Sequence, residues 1–393
     1  MSRTVPVTAA ARKRGISIRC SVKIRRSLVL TLCMLSPLLH AAQEPTASNW
    51  VTYLSFEVPG ALGTFPMSIN VSMAVTGYYY VSSKVTRGFV RDAEGAITTF
   101  DVSSGVWTEP ESINADGEIA GFYEVAPGVP HGFFRYADGR IITFDPPANL
   151  PTGPQALPVS INAFGEVAGN DPDVDGPSNG FTRSLAGQFT TFDYAQGALY
   201  PTVVTGLNDS GTVVGYFAVD SNISSFTRNP DGVSTEFVVP VDVANNGILK
   251  TAAQSINEDG VIGGWYFALT SRQPGVISTT GGFVRSPQGI FTLFSPPGTI
   301  VTAPGLDFIG GTLSVPHRLS INQEGSIAGS YTDAEGAQHG FVRNPYGTIT
   351  SFDPPRGGQT TATCINDNGV IAGSYFYTWN TQIPQGFLRL PKP

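Results

Sequence analysis

The chain has 393 residues, of which 13% are charged, and it contains 45 glycines, 30 prolines and 24 phenylalanines. Frequent glycine and proline beside many large aromatic side chains indicate short strands and tight turns, and they exclude disorder and a helical bundle. The net charge of −7 repels phosphate groups, which excludes nucleic acid and anionic membrane surfaces as partners.

Residues 1–42 differ from the rest of the chain, because they hold eight basic residues and no acidic one. An apolar run over residues 27–39 follows, and two alanines precede a polar start. This order predicts a secretory signal peptide over residues 1–42. The apolar run is too short to cross the ~30 Å hydrocarbon core as a helix. A retained membrane anchor is therefore the less favoured alternative.

Removal of this segment would leave residues 43–393, which carry fifteen basic and thirty acidic residues. Cys364 would then be the sole cysteine, so the fold must be stabilised by its core rather than by an internal disulfide. We expect a secreted, periplasmic or extracellular protein with a single domain over residues 43–393. We also expect a monomer that does not insert into a membrane.

A phrase of the type Ser-Ile-Asn-x-x-Gly recurs along the chain. Its asparagine is found at Asn70, Asn114, Asn162, Asn208, Asn257, Asn322 and Asn366. A second phrase, Gly-Phe-x-Arg, occurs six times, and Ser-Phe-Thr-Arg at residues 225–228 is its seventh copy. A third, Thr-Phe-Asp-like phrase is centred on Phe100, Phe144, Phe192, Phe237, Phe294 and Phe352. Recurrence at this spacing predicts an architecture built from repeated supersecondary units.

The sequence of each unit predicts four antiparallel strands, which we label A to D in chain order. Strand A ends at Ser-Ile-Asn, and Asn-x-x-Gly turns into strand B, since asparagine bonds nearby backbone and glycine accepts positive φ. Strands C and D form a hairpin around turns such as residues 136–139. This turn predicts that Gly132 faces Phe144, whose ring fills the bare cross-strand position. The same register places His131 opposite Asp145.

The missing seventh copy of the third phrase lies at the other end of the chain. Phe56 precedes the first Ser-Ile-Asn, whereas the chain stops four residues after Arg389. An open strand edge is costly, so we expect the segment at Phe56 to pair with the tail, opposite Gly386. The sequence thus predicts an all-β fold, a seven-bladed β-propeller of four-stranded antiparallel blades whose N-terminal strand closes the last blade.

These units resemble the bacterial extracellular HAF repeats, in which a His-Ala-Phe tripeptide follows a similar Asn-x-x-Gly turn. Glycine replaces the alanine here, and two units keep the histidine, at residues 131–133 and 339–341. The resemblance covers nearly all of residues 52–390. It implies an exported repeat protein, and the family brings no established activity.

Loop lengths distinguish two faces of the predicted fold. The A–B and C–D turns are short, whereas the B–C and D–A connections lie on the opposite face and vary. Successive repeat asparagines are 44 to 49 residues apart, except for 65 between Asn257 and Asn322. The excess predicts long loops over residues 268–281 and 295–319, where binding commonly resides. The candidate ligand-binding residues are Trp265, Tyr266, Asp307, Phe308, His317 and Tyr331.

A candidate calcium loop begins at residue 171. Asp171, Asp173 and Asp175 alternate ahead of a glycine, as at the start of a calcium-binding loop. The twelfth position is Thr182 instead of the closing glutamate, so a solvated acidic loop is the alternative. His131 and His339 each have a carboxylate opposite, which favours structural pairing over a metal site. Calcium is thus the one cofactor that the sequence suggests.

No nucleophile elbow, Walker loop, dinucleotide fingerprint or zinc spacing occurs in the sequence. The leading interpretation is a non-catalytic exported module that binds a glycan, peptide or protein at the face of variable loops. The alternative is a propeller hydrolase or lyase with a carboxylate or calcium site in the axial funnel. Glu111 and Gln254 are the polar residues expected there. A structural envelope component is a third interpretation.

Overall fold

The computed structural model describes residues 51–102, 106–147, 155–172, 178–194, 201–219, 222–241, 247–272, 275–298, 318–377 and 383–392. These residues form strands and turns, with no helix among them. Accordingly, none of them forms a helix that is long and apolar enough to cross a bilayer. Residues 49–393 make up one compact unit, and the predicted signal peptide lies outside the described residues.

The strands follow the repeat units of the sequence. Unit 1 contains β2 (Thr64–Ile69), β3 (Val75–Ser82), β4 (Val85–Arg91) and β5 (Ile97–Phe100). Unit 2 contains β6 (Trp107–Ile113), β7 (Ile119–Glu124), β8 (Pro130–Arg135) and β9 (Ile141–Phe144). Unit 3 contains β10 (Leu157–Ile161), β11 (Val167–Asp171), β12 (Asn179–Arg183) and β13 (Phe189–Phe192). Unit 4 contains β14 (Thr202–Leu207), β15 (Val213–Val219), β16 (Asn222–Arg228) and β17 (Ser234–Phe237).

The remaining strands continue the pattern. Unit 5 contains β18 (Ile248–Ile256), β19 (Ile262–Arg272), β20 (Gly275–Arg285) and β21 (Phe291–Phe294). Unit 6 contains β22 (Ser320–Ile321), β23 (Ile327–Thr332), β24 (Gln338–Arg343) and β25 (Ile349–Phe352). Unit 7 contains β26 (Gly357–Ile365), β27 (Ile371–Tyr377) and β28 (Pro384–Arg389), together with β1 (Tyr53–Phe56).

Within every unit the strands pair antiparallel in the order A to D. Units 4 and 5 join into one eight-stranded sheet through a parallel bridge between Ile223 and Lys250. The other units each form a separate four-stranded sheet. The predicted all-β fold of four-stranded antiparallel sheets is therefore confirmed.

The first strand pairs with the last, although more than 300 residues separate them in the sequence. Tyr53 of β1 faces Arg389 of β28, and Phe56 faces Gly386. The hydroxyls of Ser55 and Tyr375 add a hydrogen bond of 2.9 Å. β1 therefore occupies the place of a fourth strand in unit 7, in the register predicted from the repeats.

The hydrophobic core lies between neighbouring sheets. Its centre is the phenylalanine of Gly-Phe-x-Arg, which is fully buried as Phe89, Phe133, Phe181, Phe226, Phe283, Phe341 and Phe387. Phe133 of unit 2 meets Phe100 of unit 1 edge-on, with the ring centroids 6.0 Å apart. Such aromatic pairs are favoured beyond the area that they bury. The repeated phenylalanine thus joins each sheet to its neighbour.

The glycine before that phenylalanine leaves room for a ring of strand D. Gly132 pairs with Phe144, and a Cβ added at Gly132 would lie 2.4 Å from the ring of Phe144. At Gly282 the corresponding distance to the ring of Phe294 is 2.2 Å. Alanine therefore cannot replace these glycines without moving a packed ring.

We expect Gly132→Ala to lower the free energy of unfolding by about 1–3 kcal/mol, because overpacking displaces Phe144. Gly358→Ala is the matched control, since a Cβ at this strand glycine would meet nothing within 4 Å. Urea unfolding of both variants measures the difference. Equal stability of the two variants would show that the ring moves at no cost.

The arginine of Gly-Phe-x-Arg lies over an aromatic ring of the neighbouring sheet. Arg135 of unit 2 lies 4.9 Å from the ring centroid of Phe100 in unit 1. Arg91 of unit 1 lies 5.1 Å from that of Phe56 in β1. The same contact is made by Arg183 on Phe144, Arg228 on Phe192, Arg285 on Phe237, Arg343 on Phe294 and Arg389 on Phe352. These cation–π contacts account for the repeated arginine as part of the architecture.

The repeat asparagines link each unit to the next. The Oδ1 of Asn70 accepts the Ala74 backbone N–H at 2.9 Å, and its Nδ2 donates to the Asn114 carbonyl at 3.0 Å. The donations continue from Asn114 to Asn162, to Asn208, to Asn257, to Asn322 and to Asn366. Asn366 donates to the carbonyl of Asn70 at 2.9 Å. One amide thus closes its own turn and bonds the adjacent unit.

The prediction of a loop over residues 268–281 is wrong. β19 and β20 extend as a long hairpin, in which Ala268 faces Thr279 and Arg272 faces Gly275. Residues 276–280 include β-branched valine, isoleucine and threonine, which favour strand pairing over an irregular loop. Most of the second predicted loop, over residues 295–319, lies outside the described residues.

Candidate functional site

The first strands of the units line a central cavity of about 270 Å³. The serine of each Ser-Ile-Asn faces this cavity in several units and also bonds the next unit. Ser68 Oγ accepts the Ile113 backbone N–H at 3.2 Å, and Ser112 Oγ accepts that of Ile161 at 3.3 Å. The hydroxyls of the cavity wall thus stand on strands that neighbouring sheets hold in place.

The position before this serine differs between units, and it also faces the cavity. It is occupied by Met67, Glu111, Val159, Thr205, Gln254, Leu319 and Thr363. Glu111 is 7% exposed and forms an ion pair with Arg318 of unit 6. A buried carboxylate needs such a partner, because desolvating an unpaired charge is costly. The cavity therefore carries one ion pair that has no equivalent in the repeat.

Beside Glu111 lies an acid–aromatic cluster, which we define as Phe65, Tyr78, Tyr80 and Glu109. The rings of Phe65 and Tyr78 are stacked with centroids 5.0 Å apart. The ring of Tyr80 stands edge-on to both, at 5.5 and 6.0 Å. Tyr78 and Tyr80 share one side of β3 because side chains alternate along a strand. The Thr86 hydroxyl donates to Glu109 at 3.5 Å.

The electrostatics of the cluster favour an uncharged Glu109. Burial and, after it, the charges of Glu111 and Glu124 raise the pKa of Glu109 to about 7, against the opposing effects of Thr86 and Arg318. The pKa of Tyr78 is also raised, first by burial and then by Glu109. Near neutral pH the site thus combines a carboxyl group that exchanges protons with an ion-paired carboxylate.

We expect stability to fall as the pH rises towards 7, because the pKa of Glu109 is about 7 in the folded protein against its usual 4.5. The folded state then binds more protons at Glu109 than the unfolded state between these values, so the contribution of Glu109 to stability is greatest below pH 4.5 and is lost as Glu109 ionises. Glu109→Gln should weaken this pH dependence and be more stable than the wild type at pH 8. Urea unfolding at pH 5 and pH 8 measures it, with Glu94→Gln in an exposed turn as the control. An unchanged slope in Glu109→Gln would contradict the assignment.

The ligand-binding residues predicted from the sequence do not come together as an open surface. Trp265 is 9% exposed and packs against Phe294 and Phe341. Tyr266 is 5% exposed within the core of units 4 and 5, and the Tyr331 hydroxyl donates to Ser351 at 2.8 Å. Asp307, Phe308 and His317 lie outside the described residues. The three described members thus serve packing between and within sheets.

Of the candidate calcium ligands, Asp171 is described, whereas Asp173 and Asp175 lie outside the described residues. Asp171 is 7% exposed at the end of β11, where it faces Asn179. Throughout the part of the chain that the structure describes, no three histidine, cysteine, aspartate or glutamate side chains are grouped to hold a metal ion. Calcium binding stays a prediction.

The predicted histidine–carboxylate pairs are present. His131 Nδ1 lies 2.9 Å from Asp145. His339 lies 2.6 Å from Asp353 through Nδ1 and 3.0 Å from Asp333 through Nε2. Burial opposes protonation of His339, yet the hydrogen bonds to these two carboxylates raise its pKa. The histidines thus have structural partners, as predicted.

Sequence reasoning identified Glu111 and Gln254 but missed Arg318 and the acid–aromatic cluster. A signal was available, because the residue three before the repeat serine or its equivalent is Phe65 in unit 1 and Glu109 in unit 2, against leucine, valine, alanine, histidine and threonine in units 3 to 7. Comparing equivalent positions between units, rather than searching for motifs, would have found Phe65 and Glu109.

No protein-family model matches the chain, and no curated protein sequence matches it significantly. Solved structures resemble it at low identity. They include a prolyl endopeptidase (10% identity, TM-score 0.49, 85% of this chain and 51% of that one). An acylaminoacyl peptidase from Pyrococcus horikoshii has 8% identity and a TM-score of 0.47, over 81% of this chain and 50% of that one. A protein assigned as TolB from Agrobacterium tumefaciens has 11% identity and a TM-score of 0.43, over 84% and 99%. The chain spans about half the length of the two peptidases.

Proposed function

We propose that the chain is an exported seven-bladed β-propeller of the HAF-repeat type that acts as a non-catalytic binding module for an extracellular glycan, peptide or protein. The hydrogen bond from Asn366 back to Asn70 supports a closed circle of seven units. The stacking of Arg91 on Phe56 supports the same closure. In such a propeller the central cavity lies on the axis, and it opens towards the face of long connections. The module works as a monomer, without nucleic acid and without membrane insertion.

The break in the repetition at the central cavity carries the proposal of binding. The asparagine bonds and the arginine–aromatic contacts recur in every unit, so the fold explains them. The ion pair of Glu111 with Arg318 and the acid–aromatic cluster have no counterpart in the other described units. Polar residues that line a cavity, occur in one place and are not needed by the repeat are typical of a binding site.

Screening the purified chain on arrays of extracellular glycans and peptides and against extracellular proteins tests this function. We expect binding by the wild type, and loss of binding in Arg318→Met, which leaves Glu111 unpaired in the cavity. Tyr346→Ala is the control, because Tyr346 is 94% exposed in a C–D turn on the opposite face. Loss of binding in Tyr346→Ala but not in Arg318→Met would place the site elsewhere.

Glu109 favours a second candidate function, that of a hydrolase or lyase. A carboxyl group with a pKa of about 7 beside an ion-paired carboxylate is the kind of pair that divides acid and base roles. Incubating each bound glycan with the wild type and with Glu109→Gln tests it. Products from the wild type, lost in Glu109→Gln while binding persists, would establish the enzyme.

Export and calcium binding are separate parts of the proposal. Expression of the full chain with a C-terminal tag should yield a protein outside the cytoplasm that lacks residues 1–42, as mass measurement would show. Calorimetric titration with Ca²⁺ tests the loop that begins at Asp171. Absence of heat at millimolar Ca²⁺ would remove that cofactor.

A further inference from the structure

Gln254 presents a polar side chain to the central cavity. The residue is 8% exposed and lines the central cavity, and its amide reaches the space of the cavity rather than being sealed in the wall. A side-chain amide offers both donors and an acceptor, so Gln254 can hydrogen-bond a group that enters the cavity. Units 1 and 3 place Met67 and Val159 at the equivalent position. The repeat therefore accepts an apolar residue here, and stability does not explain the glutamine.

The rest of the cavity wall also offers donors and acceptors without net charge. Glu111 and Arg318 neutralise each other, yet a carboxylate and a guanidinium keep further hydrogen-bonding sites. The Ser255 hydroxyl is buried and has no partner within the described residues. Alternating donors and acceptors in a neutral cavity match the hydroxyl groups of a sugar. A volume of about 270 Å³ suits one sugar ring, since pockets for larger ligands span roughly 300–1,000 Å³.

The acid–aromatic cluster lies next to this wall. Phe65 on β2 and Glu109 on β6 each lie two residues before a residue that lines the cavity, and the ring of Tyr78 stacks on that of Phe65. Partly exposed aromatic rings offer flat apolar surface at low entropic cost, and the C–H faces of sugar rings pack against such surfaces. Glu111 and Arg318 neutralise each other, and Glu109 and Glu124 add negative charge whenever they ionise, so the site offers no net positive charge to an anionic sugar.

From these contacts we infer that the central cavity binds the uncharged terminal sugar of a glycan, while the acid–aromatic cluster packs against the next sugar ring. The inference rests on the proposed binding function and narrows its ligand to neutral glycans. A glycan fits better than a peptide because the cavity presents hydroxyl, amide and ion-paired groups. A charged peptide terminus would need a partner of opposite charge, and Glu111 and Arg318 already neutralise each other.

Calorimetric titration of the full chain tests the inference with N-acetylchitotetraose, cellotetraose, maltotetraose and tetragalacturonate. We expect at least one of the three neutral tetrasaccharides to bind, and tetragalacturonate to bind about tenfold more weakly or not at all. Gln254→Val, which copies Val159, should weaken the neutral tetrasaccharide about tenfold or more. Gln188→Val makes the same change in an exposed C–D turn and should leave affinity unchanged.

A second variant separates the two parts of the site. Tyr80→Ala should weaken the tetrasaccharide about tenfold while leaving the affinity for the matching monosaccharide unchanged. Unfolding midpoints verify that the variants fold, and Gln254→Met, which copies Met67, replaces Gln254→Val should the latter fail.

The outcomes distinguish this inference from the function on which it rests. Undiminished affinity of Gln254→Val for a glycan that the wild type binds overturns the cavity assignment but leaves the binding module intact. Binding of peptides or proteins but of no glycan overturns the assignment of a glycan ligand and leaves the proposed binding function intact. Stronger binding of tetragalacturonate than of the neutral sugars contradicts the charge argument. If no glycan, peptide or protein binds, both proposals fail.

Discussion

A chain that starts at residue 60 should be less stable than a chain that starts at residue 49 by about 5 kcal/mol or more. The shorter chain lacks β1, so Gly386 loses the ring of Phe56 that covers it. Arg91 loses the same ring as its stacking partner, and Tyr375 loses the hydroxyl of Ser55. These losses of side-chain contacts add to the loss of the backbone hydrogen bonds between β1 and β28.

The exposed edge of β28 should also make the shorter chain associate with itself, since an unpaired strand edge accepts another strand. Urea unfolding and sedimentation at several concentrations measure the two effects. Phe56→Ala isolates the ring and should give part of the loss, whereas Phe164→Ala, at a residue 70% exposed, should change stability by less than about 0.5 kcal/mol. A shorter chain that stays monomeric and equally stable would show that β1 does not complete unit 7.

Asn366→Ala should lower the free energy of unfolding by about 2–4 kcal/mol. The side chain is 4% exposed, so its lost hydrogen bonds are not replaced by water. Its Oδ1 accepts the Val370 N–H at 2.9 Å, and its Nδ2 donates to the Asn70 carbonyl at 2.9 Å. The substitution therefore breaks a turn and the bond between the last and the first unit together.

Asn344→Ala is the matched control for this effect. Asn344 closes a C–D turn in the same way, with Oδ1 accepting the Thr348 N–H at 2.9 Å, but no bond to another unit is formed by its side chain in the described part of the chain. We expect a loss below about 1 kcal/mol. Asn366→Asp keeps the acceptor and removes the donor, so it should resemble Asn366→Ala. Equal losses at Asn366 and Asn344 would mean that the bond between units contributes nothing.

Much of the strand register could be predicted from local chemistry. A short turn sets which residues of a hairpin face each other, and a glycine opposite a phenylalanine is recognisable in five hairpins and again between Gly386 and Phe56. The long hairpin of β19 and β20 was missed because spacing alone does not distinguish an inserted loop from an extended pair of strands. Its β-branched residues carried the information.

The sequence by itself determined the units, their strands and the pairing of Phe56 with Gly386, because these depend on contacts that recur at a constant period. The tertiary structure decided the site. Glu111 and Arg318 are 207 residues apart in the chain, and Phe65 and Glu109 belong to different units. Contacts that occur once, between distant units, leave no period in the sequence. They arise only when the first strands of all the units meet around one cavity.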